Sequence, residues 1–215
     1  MTNKQVVPIK QDRTTSLIAK IAERYSVDAD KLHSTLKATA FKVKDGEATN
    51  EQLMALLIVA DQYKLNPFTR ELFAFPDTSN GIVPVVSVDG WTRIINEHPQ
   101  MDGIDFNYGP EVDGVPEWVE CVIYRKDRKH PTKVRERFSE VRRETKPWKS
   151  HPARMLRHKA LIQCSRIAFG FAGIYDQDEA ERIVEMGPAE VVAKVEMPKA
   201  KSDAAEPTLP VEDGQ

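Results

Sequence analysis

The chain has 215 residues, with 31 Lys plus Arg against 33 Asp plus Glu and a formal charge of -2, so it is long enough for a substantial core and has no whole-molecule charge excess. Cys121 and Cys164 form no CxxC pair and no metal-ligand spacing, which predicts reduced thiols and no structural disulfide. No run approaches the roughly 18 consecutive apolar residues of a membrane helix, and no signal-like apolar N-terminus is present, so a soluble intracellular protein is predicted.

Residues 1–12 are polar and without periodicity, and are predicted to form a flexible arm. Thr15 or Ser16 can cap a helix in which Leu17, Ile18, Ile21 and Ala22 recur at helical spacing, ending near Tyr25. Asp28 or Asp30 starts a second helix, with Leu32, Leu36 and Ala40 as its stripe and the polar KVKDGE run at 42–47 as its end. Thr49 or Asn50 opens a third, EQLMALLIVADQY, which buries Leu53, Leu56, Leu57 and Ala60 and stops before Asn66-Pro67. Together these predict an N-terminal helical subdomain. The pattern changes at ELFAFP (71–76) and IVPVVSV (82–88), strand-like runs around the turn chemistry of DTSNG. Pro84 restricts the second strand of this hairpin to an edge or a bulge. An open edge of that kind suits subunits that pack side by side. From Asp89 or Gly90, WTRIINEH is a short helix with Trp91, Ile94 and Ile95 facing inward.

GIDFNYG then reads as a strand and EVDGVPEW as a turn-rich link. WVECVIYRK (118–126) and TKVRERF (132–138) form a second hairpin around DRKHP. Val119, Cys121 and Ile123 share one face of the first strand and Glu120, Val122 and Tyr124 the other, so this strand is predicted to be central or at an interface. From Pro147 a long helical pattern places Leu156, Ala160, Cys164 and Ile167 on one arc, with Met155 and Ile162 nearly opposite. Arg154, Arg157, His158, Lys159 and Arg166 are threaded between these positions, so the helix is packed by protein on more than one side. The glycines of FGFAG (169–173) end or kink it, and Asp176 caps a last turn or two, QDEAERIVE. Residues 187–215, rich in proline, alanine and acids, predict a disordered tail, acidic over 203–215. The fold class is α+β, with 13–186 as the working domain.

Charge is unevenly distributed. Between Cys121 and Arg166 stand 15 Lys plus Arg and 4 Asp plus Glu, leaving 16 basic and 29 acidic residues elsewhere. Such polarisation is the electrostatic footprint of a polyanion site, whereas a basic amphipathic helix taken alone is more often a core helix whose cationic heads snorkel to water. GxxxxGK followed by Ser or Thr does not occur, so no P-loop and no ATP-driven step is predicted. His33, His98, His130, His151 and His158 make no zinc pattern, and no cofactor is predicted. His151 and His158 read as groups beside phosphate or at a helix cap. Asp127, Glu144 and Lys146 loosely imitate the two carboxylates and lysine of a metal-dependent nuclease, but Glu144 lies in a basic linker rather than on a buried strand. Nucleic-acid binding without cleavage is the stronger account, because several cations supply sequence-independent affinity and aromatic faces support exposed bases. Trp148, between Lys146 and Lys149, is either such a platform or a plug at the helix start. A third reading is a non-catalytic oligomeric scaffold whose basic surface meets acidic protein.

Three strings carry a resemblance: ALLIVADQYKLNPFTRELFAFPDTSNGIVPVVSVDGWTRIINE at 55–97, IYRKDRKHP at 123–131, and PWKSHPARMLRHKALIQCSRIAFGFAGIYDQDEAERIVE at 147–185. Over roughly residues 15–185 the chain resembles the Red-beta (Bet) and RecT family of phage single-strand annealing proteins. The resemblance implies a Rad52-like core of β-hairpins with a long basic helix. It also implies ATP-independent binding of single-stranded DNA, annealing of complementary strands through a duplex intermediate, and homo-oligomeric rings or helical filaments in the bacterial cytoplasm. By motif position, it implies DNA contact at Arg142, Arg143, Arg154, Lys159 and Arg166, with Arg70 and Lys126 further out; Ala153 stands where the family can place a lysine. The family's C-terminal helical domain implies docking of a 5′-3′ exonuclease and a host single-strand-binding protein; here about thirty tail-like residues take its place.

Overall fold

A computed structural model of the chain describes residues 11–42, 47–77 and 81–186. The predicted arm up to residue 10, the middle of the KVKDGE run, the tip of the DTSNG turn and the tail from 187 lie outside those residues. Three helices come first: α1 (Gln11–Tyr25), α2 (Ala29–Thr39) and α3 (Asn50–Tyr63). α1 starts ahead of the predicted Thr15 and takes in the last residues assigned to the arm, because QDRTT contains no glycine or proline to stop a helix propagating backward. Asp28 begins α2, its Oδ1 accepting the Lys31 N–H at 3.1 Å. Thr49 caps α3 in a reciprocal box: its hydroxyl accepts the Gln52 N–H at 3.2 Å, and Gln52 Oε1 accepts the Thr49 N–H at 2.9 Å. Leu53, Leu56, Leu57 and Ala60 are buried as the periodicity requires, in one cluster with Ile21, Leu32 and Leu36.

β1 (Leu72–Pro76) and β2 (Ile82–Val86) pair antiparallel with Pro84 opposite Ala74. The backbone groups of Ala74 point away from β2, toward Ala40 and Lys42, so 74/84 is a pair without ladder hydrogen bonds and the missing N–H of Pro84 interrupts nothing. The open edge expected here is closed within the chain. Tyr175 bridges to Val85 on the outer side of β2, and Phe41 bridges to Ala74 on the outer side of β1.

The second strand ends earlier than expected because Ser87 leaves it to cap α4 (Val88–Asn96), accepting the Gly90 N–H at 3.2 Å. Trp91, Ile94 and Ile95 face inward from α4. Gly90 packs where a Cβ would stand 2.6 Å from the Glu71 carbonyl and 2.8 Å from a Val86 methyl.

A three-stranded antiparallel sheet follows in the order β3 (Met101–Tyr108), β6 (Trp118–Arg125), β7 (Thr132–Arg137), with β6 central. The predicted link contains a small hairpin of its own, β4 (Glu111–Val112) and β5 (Val115–Pro116). Asp113 and Gly114 at its tip both have positive φ, the Asp-Gly solution for a two-residue turn.

Short helices α5 (Phe138–Val141) and α6 (Lys146–Ser150) lead into α7 (Pro152–Phe169), and α8 (Gln177–Met186) closes the described chain. The helical pattern that begins at Pro147 is therefore broken at His151, where Pro152 removes a donor and disfavours helical φ/ψ in the residue before it. α7 lies between two cores. Leu156, Ala160, Cys164 and Ala168 pack on Val119, Cys121 and Ile123 of β6, while Ile162 belongs to the cluster of α1–α4. Ile167 departs from its predicted arc and is 64% exposed. The contact follows the i+4 ridge from Leu156 to Ala168, which drifts around the helix and leaves Ile167 behind. Both cysteines are free and buried, with the Cys164 thiol donating to the Cys121 and Thr132 carbonyls at 3.4 and 3.3 Å.

Gly90→Ala is expected to lower stability by about 1–3 kcal/mol through overpacking, seen as a lower urea midpoint with an unchanged slope. An unaltered midpoint would contradict the close approach of α4 to β2 and to the Glu71 carbonyl.

Candidate nucleic-acid interface

The positively charged residues singled out by sequence divide along α7 into those with partners and those without. Lys159, in the middle of the helix, is only 8% exposed. Its ammonium donates to both oxygens of Asp176 at 2.6 and 2.7 Å and lies 3.5 Å from Asp178. Asp176 in turn caps α8, its Oδ1 accepting the N–H groups of Asp178 and Glu179 at 2.9 and 3.2 Å. Lys159 is thus a buried structural cation, and the expectation that it meets phosphate directly does not fit its position. Three turns of helix built on apolar neighbours on both sides carry it inward, and only carboxylates supplied by the segment after Gly173 make that burial tolerable.

Arg166, two turns further along nearly the same face, donates to both oxygens of Glu179 at 3.1 Å and lies over the Tyr175 ring. Arg143 donates to the Asp178 carbonyl at 2.5 Å and to Glu185 at 3.3 Å, with its side chain 13% exposed, so it fastens α8 rather than facing solvent. Trp148 takes the second of its two predicted roles. It is 3% exposed, its indole N–H donates to Asp178 Oδ2 at 2.8 Å, and it packs against Phe138. No base reaches the face of a ring held in that way.

Arg154 remains exposed on the first turns of α7, and Arg157 is exposed three residues on; neither has an ion-pair partner among the described residues. Arg157 belongs to the helical pattern without standing among the expected DNA contacts; its i, i+3 relation to Arg154 is the signal that points to it. Across the α6–α7 junction stand Lys146 and Lys149, both exposed, and Arg142, 56% exposed. Glu144 accepts from Arg142 at 2.9 Å and sits 3.4 Å from Lys149, and these cations hold its carboxyl below the usual range. α7 begins without a side-chain cap and without an acidic residue in its first turn, so its N–H groups add to the positive potential at this end.

His158 lies beneath this group with its Nδ1 buried and, among the described residues, without a partner. Burial, then the charges of Arg157 and Arg154, push its pKa below the ordinary value. Met155, His158 and Lys159 also line a cavity of about 460 Å³ between β2, α6, α7 and α8, whose walls include the apolar Phe73, Val85 and Ile162 and the acidic Asp176, Asp178 and Glu181.

Lys126 is exposed in the β6–β7 turn, at the opposite end of α7, where the Arg125 guanidinium donates to the Ala168 carbonyl. Arg70 is exposed in the turn between α3 and β1, in the left-handed region at φ 59°. The carboxylates of the nuclease alternative are separated in the same way. Asp127 is held by Arg125 at 2.7 and 2.8 Å beside the C-terminus of α7, whereas Glu144 and Lys146 lie near its N-terminus, and a helix of 18 residues spans about 27 Å. They do not converge on one metal position.

The charged segment lies inside the stretch that matches known proteins. Residues 30–192 match the sequence model of the RecT family. The chain is 59% identical over 183 residues to "Recombination protein bet" of Escherichia phage lambda, an alignment covering 79% of this chain and 67% of that protein.

Lys159→Ala leaves Asp176 and Asp178 without their buried cation and is expected to cost about 3–5 kcal/mol, measurable by chemical denaturation. A midpoint close to that of the unaltered protein would show that the pair is not a structural requirement. The depressed pKa of His158 means that the fold prefers the neutral ring. Its contribution to stability is therefore complete above the unfolded value of about 6.5 and is lost as pH falls through the folded value. Thermal midpoints recorded from pH 7.5 to 5 are expected to fall less steeply for His158→Gln than for the unaltered chain.

Proposed function

The chain belongs to the RecT family, and on that premise we propose that it binds single-stranded DNA and anneals complementary strands in phage-type recombination without hydrolysing ATP. In this reading the DNA backbone lies against the N-terminal end of α7. Arg154, with Arg157, Lys146 and Arg142 beside it, contacts phosphates directly. Lys126 and Arg70 contribute from further out. Lys159, Arg166, Arg143 and Trp148 act as positioning residues that hold α6, α7 and α8 in the arrangement that presents the exposed cations.

The observation that carries the reading is the division of charge along α7: Arg154 and Arg157 near its N-terminus are exposed and, among the described residues, without carboxylate partners, while the inner Lys159 and Arg166 are neutralised. A protein needing charge only for its own stability has no use for the first group. Phosphate contact by exposed arginines is independent of base sequence, leaving base edges to test a second strand, so complementarity is supplied by the DNA. The two hairpins gathered about a long helix support treating the core as Rad52-like, and copies arrayed along a strand would make the cationic strip continuous. Action is proposed in the cytoplasm of the bacterial host, and no helix among the described residues is long and apolar enough to cross a membrane.

The test is annealing of two complementary oligonucleotides, followed by fluorescence, without nucleotide and with EDTA. Accelerated pairing that fades as salt rises, with both strands recovered intact, is the expected result. No acceleration by folded protein at low salt would overturn the proposal, and shortened strands would favour cleavage. Arg154→Ala and Arg157→Ala are each expected to weaken single-strand binding several-fold and to make the log–log salt slope shallower by about 0.7 for each phosphate no longer neutralised. Their free energies of unfolding should stay within about 0.5 kcal/mol of that of the unaltered protein.

A further inference from the structure

The three-stranded sheet has two free edges whose charges are opposite. Among the described residues, β3 and β7 each pair only with β6. The hydrogen bonds that flank the ladders, Gly109 N–H to the Trp118 carbonyl and Phe138 N–H to the Glu117 carbonyl, set the alternation. The N–H and C=O groups of Ile104, Phe106 and Tyr108 then point out from the β3 edge, and those of Lys133, Arg135 and Arg137 from the β7 edge. No other described segment takes them up. Unpaired strand edges of this length are templates for another strand.

The side chains choose which strand. α7 covers the face bearing Val119, Cys121 and Ile123, so the opposite face, with Glu120, Val122 and Tyr124, is the outer one. On that face Asp105 stands at the β3 edge, with Asp102 beside it, both exposed and without an ion-pair partner among the described residues. Lys133, Arg135 and Arg137 stand at the β7 edge. Arg135 is already engaged, 3.1 Å from Glu120 and over the Trp118 ring, whereas Lys133 and Arg137 have no carboxylate partner among the described residues. Two β7 edges meeting about a two-fold axis would set like charges against one another, as would two β3 edges. A β7 edge meeting a β3 edge sets lysine and arginine against aspartate.

We propose that the β7 edge of one copy pairs with the β3 edge of the next, so that the sheet continues from subunit to subunit with Lys133 facing Asp105. Because β6 is antiparallel to both neighbours, β3 and β7 run in the same direction and the inter-copy pairing is parallel. The contact is head-to-tail and leaves a free edge at each end, the condition for a ring or an open helix rather than a closed dimer. The sheet's inherent twist gives every added copy a fixed rotation. This inference rests on the reading that copies assemble along DNA, and it names the surfaces by which they do so.

The arrangement has a reciprocal test. Asp105→Lys and Lys133→Glu are prepared as separate proteins, with circular dichroism confirming that both fold. Assembly is measured by mass photometry without DNA, so the outcome is independent of annealing activity, which is assayed separately. Each variant alone sets like charge against like at every contact, and its association should weaken about tenfold or more. Mixed in equal amounts, the variants alternate: each lysine at 105 faces a glutamate at 133, each remaining aspartate faces a remaining lysine, and large assemblies return. Assembly of either variant alone at the level of the unaltered chain overturns the proposal, as does failure of the mixture to recover. Loss of DNA affinity by Lys133→Glu with assembly unchanged would assign the β7 edge to nucleic acid instead.

Discussion

A single buried cation sets the geometry of the C-terminal half of this protein. The ammonium of Lys159, withdrawn from water, is tolerated only because Asp176 and Asp178 reach it. Those carboxylates come from the first turn of α8 and the residue that caps it, so the charge of one helix fixes where another begins. Asp178 also receives the Trp148 indole, and its carbonyl receives Arg143, which brings α6 and the linker before it to the same point. Four segments separate in sequence are therefore located by one small group of hydrogen bonds, and the outward direction of Arg154 and Arg157 follows from it.

Partition of charge along a helix reconciles two demands that otherwise conflict. An interface for phosphate needs concentrated positive charge, yet such charge repels itself and destabilises the fold that carries it. Along α7 the inner cations are matched by acids from α8 and its cap, and the unmatched ones lie at the end that meets α6. The exposed guanidinium and ammonium groups there retain their hydration until a ligand replaces it. On the proposed reading, single strands would meet a surface prepared by, but distinct from, the interactions that maintain the fold.

Much of the architecture is readable from pattern. The stripes of α2 and α3, the caps at Thr49 and Asp176, the end of α7 at Gly170 and the central position of β6 all follow from local chemistry that tertiary contacts reinforce. Residues whose roles depend on distant partners are less legible. Lys159 and Arg166 look like Arg154 when only charge and helical phase are known, and the acids that neutralise them follow a glycine turn whose direction the sequence does not specify. Burial of Trp148 depends equally on Asp178, thirty residues on. The flanking of Lys159 by Met155, Ile162 and Leu156 is a usable clue, since a cation in that sector of the helix must find a carboxylate or leave the core.

Closure of the β1–β2 hairpin links distant parts of the chain. One side is completed by Phe41, before the hairpin, and the other by Tyr175, about ninety residues after Pro84, a separation that favours late pairing. During synthesis the first side can close as soon as β1 emerges, but β2 must wait while the whole three-stranded sheet and α7 are made. For that interval the nascent protein carries an apolar strand with one side unmatched, and crowding among ribosomes on one message would set such strands beside each other. The proline in β2 then has a protective value unrelated to the finished fold: it removes one donor from the waiting side, so a stray neighbour finds a broken ladder while Tyr175, which uses only the Pro84 carbonyl and the Val86 N–H, loses nothing.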